Sequence, residues 1–280
     1  MRRHLLTLTA LSGVLALGAP SASAAEGPQW AQAGTSYTDT LGGGQGLASR
    51  ADGSLLHRGL LDIPLDLRIK GWNHVGDPDI VRGYVFDAYQ GADTATSKMY
   101  AVTTPSGKRY DYVHRLDPGE KVNNSFATVS PDGQWLVSGE WGDQNRLQVF
   151  PAPLLNPATP ATGGSLAQAG QISLDKPVRD IQGCDFVTAT RLVCASDDAS
   201  GALFPQSRPL LQVDLPHPLD GKPVTGRVTS LFGLEQKSVC TDTFEAEGVD
   251  YDPGSGTLRA EVIPPGVCAV ATTVYAYRQQ

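Results

Sequence analysis

The residues of this sequence that are best suited to do chemistry are pairs of acids near the predicted starts of strands. Glu245 and Glu247 are two residues apart, and Asp77 and Asp79 share that spacing. In a strand, residues two apart point to the same side. An acid and a carboxylate roughly 5 to 10 Å apart hydrolyse a glycosidic bond, and carboxylates with carbonyl oxygens bind Ca²⁺. A third interpretation is that these acids only cap turns and solvate loops.

The residues with a possible chemical role fall into three sets, each close to a predicted strand start or end. The candidate catalytic residues are His74, Glu140, Glu245 and Glu247. The candidate binding residues are Asp77, Asp79, Asn124, Trp141, Asp197 and Asp198. The candidate metal ligands are Asp77, Asp79 and Glu247, with Ca²⁺ as the cofactor they would suit.

Two of these candidates have a structural alternative. His74 opens a strand, yet spacing identifies no partner for it, so a hydrogen-bonded structural histidine is the other interpretation. Trp141 follows Gly139-Glu140 and enters a loop, where it could stack on a sugar; tryptophans in strands more often pack in the core.

Motifs of several enzyme classes are missing from the sequence. It has no Gly-x-Ser-x-Gly elbow, no His-Glu-x-x-His zinc site and no Gly-x-x-x-x-Gly-Lys phosphate loop. These absences disfavour lipase-type hydrolases, zinc proteases and P-loop enzymes. Sites assembled from several strands need no local motif, so other enzyme classes stay open.

Composition limits the fold class. The chain has 280 residues, 40% of them hydrophobic, with a net charge of −7. The acidic balance argues against nucleic acid as a partner. The 31 glycines and 20 prolines argue against a helical bundle, because both residues are unfavourable inside helices.

The first 24 residues predict an export signal. Arg2 and Arg3 precede an apolar run from Leu5 to about Ala19, and Ala22-Ser23-Ala24 is a small-x-small cleavage pattern. The run is shorter than the roughly 20 residues of a membrane span. We therefore expect a secreted bacterial protein, with residues 25–280 forming one domain, no membrane span in the mature chain and a monomeric state. Without residues 1–24 the net charge is −9.

Four cysteines lie in the exported part, where disulfides persist. They are Cys184, Cys194, Cys240 and Cys268, and sequence alone leaves three pairings open. Between Cys184 and Cys194 the sequence predicts a short hairpin, which places the two residues opposite each other. Cys240 would then pair with Cys268.

Strand-turn-strand units recur along the chain. The clearest one joins a strand at Phe126–Val129 to another at Trp135–Ser138 through Ser130-Pro131-Asp132-Gly133. Proline presets the first turn position, and glycine accepts a positive φ. Comparable strand starts near His74, Phe126, Gly183 and Glu247 are 52, 57 and 64 residues apart. That spacing suits propeller blades.

Two segments support this prediction by resemblance. Val129-Ser130-Pro131-Asp132-Gly133-Gln134-Trp135-Leu136 resembles the repeat of TolB-like β-propellers, and Glu247–Pro253 is similar to a blade opening of gluconolactonase-like propellers. The resemblance implies an all-β, single β-propeller fold of about five blades stabilised by disulfides. A β-sandwich is the alternative. Ring closure is expected from a strand within Ser54–Ile63 pairing with the C-terminal strands.

Two classes of function remain open on sequence alone. One is an extracellular module that binds a glycan or small ligand, with or without Ca²⁺. The other is an extracellular hydrolase or lyase that acts on carbohydrate, phosphorylated or ester substrates through carboxylates at the channel mouth. Two carboxylates in one concave pocket, one of them with a raised pKa, would favour the enzyme.

Overall fold

Short antiparallel strands form nearly all of the regular structure. A computed structural model describes residues 29–122 and 126–280. The two α-helices, α1 (Thr40–Gly43) and α2 (Leu65–Ile69), have only 4 and 5 residues. Within the described residues no helix is long and apolar enough to cross a membrane. The predicted signal peptide and Asn124 lie outside the described residues.

The first and last strands belong to the same sheet, which joins the two ends of the described chain. Its spatial order is β1-β20-β19-β18. The strands are β1 (Trp30–Asp39), β18 (Glu245–Asp252), β19 (Thr257–Ile263) and β20 (Ala271–Gln279).

The predicted closure by a strand within Ser54–Ile63 is therefore wrong. β1 extends along the whole of β20, with Trp30 opposite Gln279 and Asp39 opposite Ala271. Residues 55–58 are too few to replace that long ladder, and they form β3 (Leu55–Arg58) against β2 (Gly46–Ser49).

The next sheet follows β2 and β3 in the chain, after the 3₁₀ turn Leu60–Asp62 and α2. Its order is β12-β8-β7-β6-β4, and β5 also pairs with β6. The strands are β4 (His74–Val75), β5 (Asp79–Val81), β6 (Tyr84–Gln90), β7 (Ser97–Thr103), β8 (Arg109–Arg115) and β12 (Gly164–Ser165).

Two four-stranded units merge into one sheet of eight strands, because β13 and β17 pair in parallel. The first unit consists of β9 (Thr128–Val129), β10 (Trp135–Ser138), β11 (Asp143–Pro151) and β13 (Gly170–Arg179). The second consists of β14 (Ile181–Thr188), β15 (Arg191–Ser196), β16 (Pro209–Asp214) and β17 (Val224–Gly233).

The inner strands of these units surround a common axis. β2 contacts β5, β5 contacts β9, β9 contacts β14, β14 contacts β18, and β18 contacts β2. This cyclic order makes the fold a β-propeller and excludes the β-sandwich. Five stays our predicted number of blades, since the β2–β3 sheet has only two of the four strands of a complete blade.

The core lies between neighbouring sheets, where apolar side chains of adjacent blades meet. One cluster packs Phe86, Tyr100 and Tyr112 of the β4–β8 sheet against Phe150 of β11. Another combines residues of β9 to β17, including Phe126, Leu147 and Leu211. Burying these side chains stabilises the fold by roughly 1.5 to 3 kcal/mol for each large residue.

Both predicted disulfides are confirmed. Cys184 and Cys194 lie directly opposite each other in the β14–β15 ladder. Cys240 pairs with Cys268 across 28 positions. This second bond ties the segment before β18 to the 3₁₀ turn Gly266–Val270.

Side chains fasten the small β2–β3 sheet to both neighbours. Ser49 donates from its N–H and its hydroxyl to Asp250 of β18, each at 2.7 Å. On the other side Arg58 Nε donates to Asp87 Oδ1 of β6 at 2.6 Å. Polar contacts thus hold this sheet in the ring, in place of the missing strands.

The stability of the fold also depends on pH through Glu261, which contacts His57 of the β2–β3 sheet. The side chain of Glu261 is fully buried, and Oε1 lies 3.3 Å from His57 Nδ1. Among the described residues Oε2 has no hydrogen-bond partner. Burial raises the pKa of Glu261 from 4.5 to about 7. Between these two pH values, Glu261 therefore keeps its proton in the folded state, whereas in the unfolded chain it has lost it. Stability from this group is complete below about pH 4.5 and is lost as pH rises to about 7.

We therefore expect Glu261→Gln to flatten the pH dependence of stability. Wild-type protein should lose up to about 3 kcal/mol more unfolding free energy than the variant between pH 5 and pH 8. Urea unfolding at both pH values measures this difference. Glu235→Gln, which changes a carboxylate paired with Lys237, is the matched control, and parallel curves for wild type and Glu261→Gln would contradict the prediction.

Candidate functional site

The central channel is divided by the side chain of Asp77. This residue is 1% exposed. Its Oδ1 accepts the N–H of Leu47 at 3.0 Å, and its Oδ2 accepts the N–H of Val249 at 2.9 Å. One carboxylate thus joins three inner segments of the ring. Burial raises the pKa of Asp77 well above its usual value, and the two N–H donors oppose that shift.

Glycines from three inner strands make room for this carboxylate. A Cβ at Gly46, Gly183 or Gly248 would lie 2.4 to 2.6 Å from atoms of Asp77. Such a separation is too short for any side chain. The channel centre is therefore filled by the backbones of β2, β14 and β18 and by Asp77, and two separate cavities remain at its ends.

The strand-start cavity lies at the mouth where the inner strands begin. It has a volume of about 1250 Å³. Five residues from the predicted sets line it: His74, Trp141, Asp197, Glu245 and Glu247. They come from four separate stretches of the chain, and the ring of inner strands brings them together.

Glu247 is the most unusual of these residues. Its side chain is 7% exposed and faces the cavity. Within the described residues no hydrogen bond or ion pair to Glu247 is found. Burial raises its pKa well above the usual value, and the charges of Glu245, Asp197 and Glu261 add to the shift. This environment favours the protonated form of the carboxyl group, which is the form that can donate a proton.

Asp197 is another carboxyl group of the cavity, and hydrogen bonds fix its orientation. Its Oδ1 accepts both Arg208 Nε and the N–H of Ala246, each at 2.8 Å. Burial raises the pKa of Asp197, whereas the two donors favour its charged form. Since both hydrogen bonds end on Oδ1, Oδ2 is left available to a ligand.

His74 and Glu245 complete the polar wall. His74 begins β4 and is half-buried, and burial lowers its pKa, which favours the neutral imidazole. Glu245 begins β18 and is exposed. Both residues line the cavity, so two further predicted catalytic residues share it with Glu247.

Glu140 is absent from the cavity lining, although it was a catalytic candidate. It is buried and forms an ion pair with Arg146, whose Nε donates to Glu140 Oε2 at 2.6 Å. Its Oε1 accepts the N–H of Lys121 at 2.9 Å. The structure therefore places Glu140 where it positions the loop carrying Trp141. Trp141 itself is 51% exposed at the cavity rim.

Asp198 and Asp79 lie away from the strand-start cavity. Asp198 is buried and accepts the N–H and the hydroxyl of Ser200. Asp79 lines the strand-end cavity, a space of about 1000 Å³ at the opposite mouth. Its Oδ2 accepts the N–H of Val129 at 2.6 Å, and burial raises its pKa to about 7.

Asp185 and Asp250 also line the strand-end cavity and repeat the bonding pattern of Asp79. Asp185 Oδ2 accepts the N–H of Tyr251 at 2.6 Å, and Asp250 Oδ1 accepts the N–H of Ser49 at 2.7 Å. Each aspartate thus bonds the backbone of a neighbouring inner strand. We interpret this set as a structural device that joins blades.

The predicted metal ligands do not converge. Asp77 separates the cavities, Asp79 lines one and Glu247 lines the other. Elsewhere in the described part of the chain, His114, Asp117 and Glu120 form a group with metal-like spacing. Glu120 is already paired with Lys98 at 2.9 Å and with His114 Nε2 at 2.9 Å. An ammonium group thus balances its charge, and this donor set does not fit a metal ion.

Sequence reasoning missed several residues of the strand-start cavity. Gln45, Asp93, Glu120 and Lys121 all line it. Gln45 follows three consecutive glycines, whereas the other three residues lie in loops outside the strands. Only the position of Gln45 directly before an inner strand offered a signal.

No protein-family model matches the sequence, and no curated protein is similar to it. Solved propeller structures are similar at low identity. The arabinanase of Bacillus subtilis is 12% identical, with a TM-score of 0.42 over 89% of this chain and 92% of that one. A putative oxidoreductase (glucose dehydrogenase) of Thermus thermophilus is 12% identical, with a TM-score of 0.41 over 87% and 100%. The periplasmic gluconolactonase of Pseudomonas aeruginosa is 16% identical, with a TM-score of 0.35 over 62% and 46%. The likeness concerns the fold.

Proposed function

We propose that this protein is a secreted hydrolase that cleaves glycosidic bonds in the strand-start cavity. The observation that carries the proposal is Glu247, a buried carboxyl group that faces the cavity without a partner among the described residues and has a raised pKa. Glycoside hydrolysis needs such a protonated acid to protonate the leaving oxygen. The two disulfides are typical of proteins outside the cytoplasm and support secretion.

Asp197 is the carboxylate we assign to the second role. The Arg208 guanidinium and the N–H of Ala246 fix its orientation, and its second oxygen is available. In the proposed reaction Glu247 donates its proton to the glycosidic oxygen as the bond to the anomeric carbon breaks. Asp197 acts on the opposite face of the sugar in one of two ways. As a base it removes a proton from the water molecule that bonds to the anomeric carbon; as the nucleophile it forms a glycosyl ester, which water then hydrolyses.

A glycan-binding module without catalysis is the second candidate function. Trp141 favours it, because an indole that is 51% exposed at the rim of a polar cavity is suited to stack on a sugar ring. In the proposed hydrolase the same indole would bind a sugar unit of the substrate that does not take part in the cleaved bond. A calcium requirement stays a prediction in both cases.

Mass spectrometry of an oligosaccharide panel after incubation with the disulfide-intact mature protein tests the proposal. We expect at least one member to yield shorter products, and we expect Glu247→Gln to yield none. Glu235→Gln is the control, since Glu235 pairs with Lys237 away from the cavity. Binding of a panel member without products would instead support the glycan-binding module.

A further inference from the structure

The strand-start cavity also indicates which substrates it accepts. We propose that it selects a saccharide with a protonated amine, whose ammonium group binds between Glu245 and the side-chain oxygen of Gln45. This inference rests on the proposed function, because it concerns the substrate of the same cavity.

Gln45 supplies evidence for a ligand that is independent of the acidic residues. It is 8% exposed and lines the cavity. Its Nε2 donates to the Gly44 carbonyl at 3.2 Å, which identifies the other amide atom as the oxygen. That oxygen is buried and has no hydrogen-bond partner among the described residues. A buried acceptor without a donor is destabilising, and a ligand that supplies the donor offsets part of this loss.

Gln45 and Glu245 belong to neighbouring inner strands. Gln45 directly precedes β2, and Glu245 is the first residue of β18. β2 and β18 pack side by side in the ring, and both residues lie at their starting ends. Gly248 lies against Gly46, so Gln45 is level with Glu247, and Glu245 lies two residues nearer the mouth. A neutral acceptor and an exposed carboxylate therefore lie on neighbouring strands at one mouth.

The charges of the lining point to the same ligand class. Two exposed carboxylates of the lining, Asp93 and Glu245, form no ion pair among the described residues. Lys98 already balances Glu120, and Arg208 balances Asp197. One lysine, Lys121, is found among the described lining residues. The ammonium group of Lys121 donates to the Asp143 carbonyl at 2.8 Å. The guanidinium of Arg208, behind the wall, is already bonded to Asp197 and Gln236. Phosphorylated and uronic substrates would therefore meet repulsion without a compensating cation.

A protonated amine fits this acceptor-rich corner better than a hydroxyl group does. An ammonium group has three donors and no acceptor. Hydrogen bonds that involve an ionised group are roughly twice as strong as neutral ones. Acetylation of the amine removes both the charge and two of the donors, so that an N-acetylated sugar loses the advantage.

Isothermal titration of the mature wild-type protein with three tetrasaccharides at about pH 6 tests this inference. The probes are the β-1,4-linked tetramers of glucosamine, N-acetylglucosamine and glucose. We expect the glucosamine tetramer to bind at least about tenfold more tightly than the other two, a difference of about 1.4 kcal/mol. Glu245→Gln should abolish this preference, and Gln45→Ala should reduce it. Glu235→Gln should preserve it.

The outcomes separate this inference from the proposed function. Equal dissociation constants for the three tetramers, failure of the glucosamine tetramer to bind, or an unchanged preference in Glu245→Gln would overturn the inference. Glu247-dependent cleavage of a neutral oligosaccharide in that case would leave the hydrolase proposal intact. Selective binding of the glucosamine tetramer without cleavage would support the amine site and overturn the hydrolase.

Discussion

Glu247→Gln is expected to lower kcat for a cleaved oligosaccharide by about 10³-fold, the typical contribution of a general acid. The amide has nearly the same shape as the carboxyl group but cannot donate a proton to the leaving oxygen. KM should change much less, because the cavity keeps its form. Initial rates over a range of substrate concentrations measure both constants.

The leaving group and the pH profile show whether Glu247 acts as the acid. Burial and three neighbouring carboxylates raise its pKa, so wild-type kcat should fall as pH rises through that pKa. A substrate with a nitrophenolate leaving group needs little protonation and should lose far less rate in Glu247→Gln. Equal losses on activated and natural substrates would argue against the acid role, and Glu235→Gln should match the wild type throughout.

Asp77→Ala is expected to destabilise the fold by about 4 kcal/mol. The substitution leaves the buried N–H groups of Leu47 and Val249 without an acceptor, and each such group costs about 1 to 3 kcal/mol. It also leaves an empty space between Gly46, Gly183 and Gly248, which adds to the loss. Urea unfolding followed by circular dichroism measures the difference.

The variant Asp77→Asn distinguishes the contribution of the hydrogen bonds to stability from the contribution of packing. Its amide fills the same space but keeps only one acceptor, and its NH₂ group faces the other N–H donor, so an intermediate loss is expected. Asp93→Ala is the matched control, because Asp93 is an exposed aspartate beside the strand-start cavity. A loss below about 1 kcal/mol in Asp77→Ala would contradict the role assigned to this carboxylate.

Local patterns in the sequence predicted the strands and the disulfides well. The hairpin between Cys184 and Cys194 follows from its polar turn, and the pairing of Cys240 with Cys268 follows from it. Gly133 has a φ of +73°, as the turn prediction requires. For the hairpin and the turn the responsible contacts are local, so periodicity and turn chemistry are sufficient, and the second disulfide follows by elimination once the first is assigned.

Contacts between distant segments were not predictable in the same way. The closing strand β1 pairs with β20 almost the whole length of the chain away, and no local signal distinguishes it from β3. Asp77 bonds to Leu47 and to Val249, which are 30 and 172 positions away. Spacing suggested that Asp77 could bind a ligand, whereas burial makes it part of the scaffold.

Glu140 and Glu247 illustrate the same limit within the candidate site. Both are glutamates at predicted strand ends, and the sequence offers no reason to treat them differently. Arg146 neutralises Glu140, while Glu247 is left beside other acids in a cavity. Only the arrangement of the blades decides which carboxyl group is free to act.

The filled channel centre has a further consequence for a polymeric substrate. Because Asp77 and the three glycines block the axis, the strand-start cavity is blind, and a polysaccharide cannot thread through the ring. In the proposed hydrolase, a chain terminus or a short branch would reach Glu247 from the open mouth of this cavity. For the proposed hydrolase we therefore expect progressive trimming from an end, with mono- or disaccharides released from the first turnover, and not random internal scission.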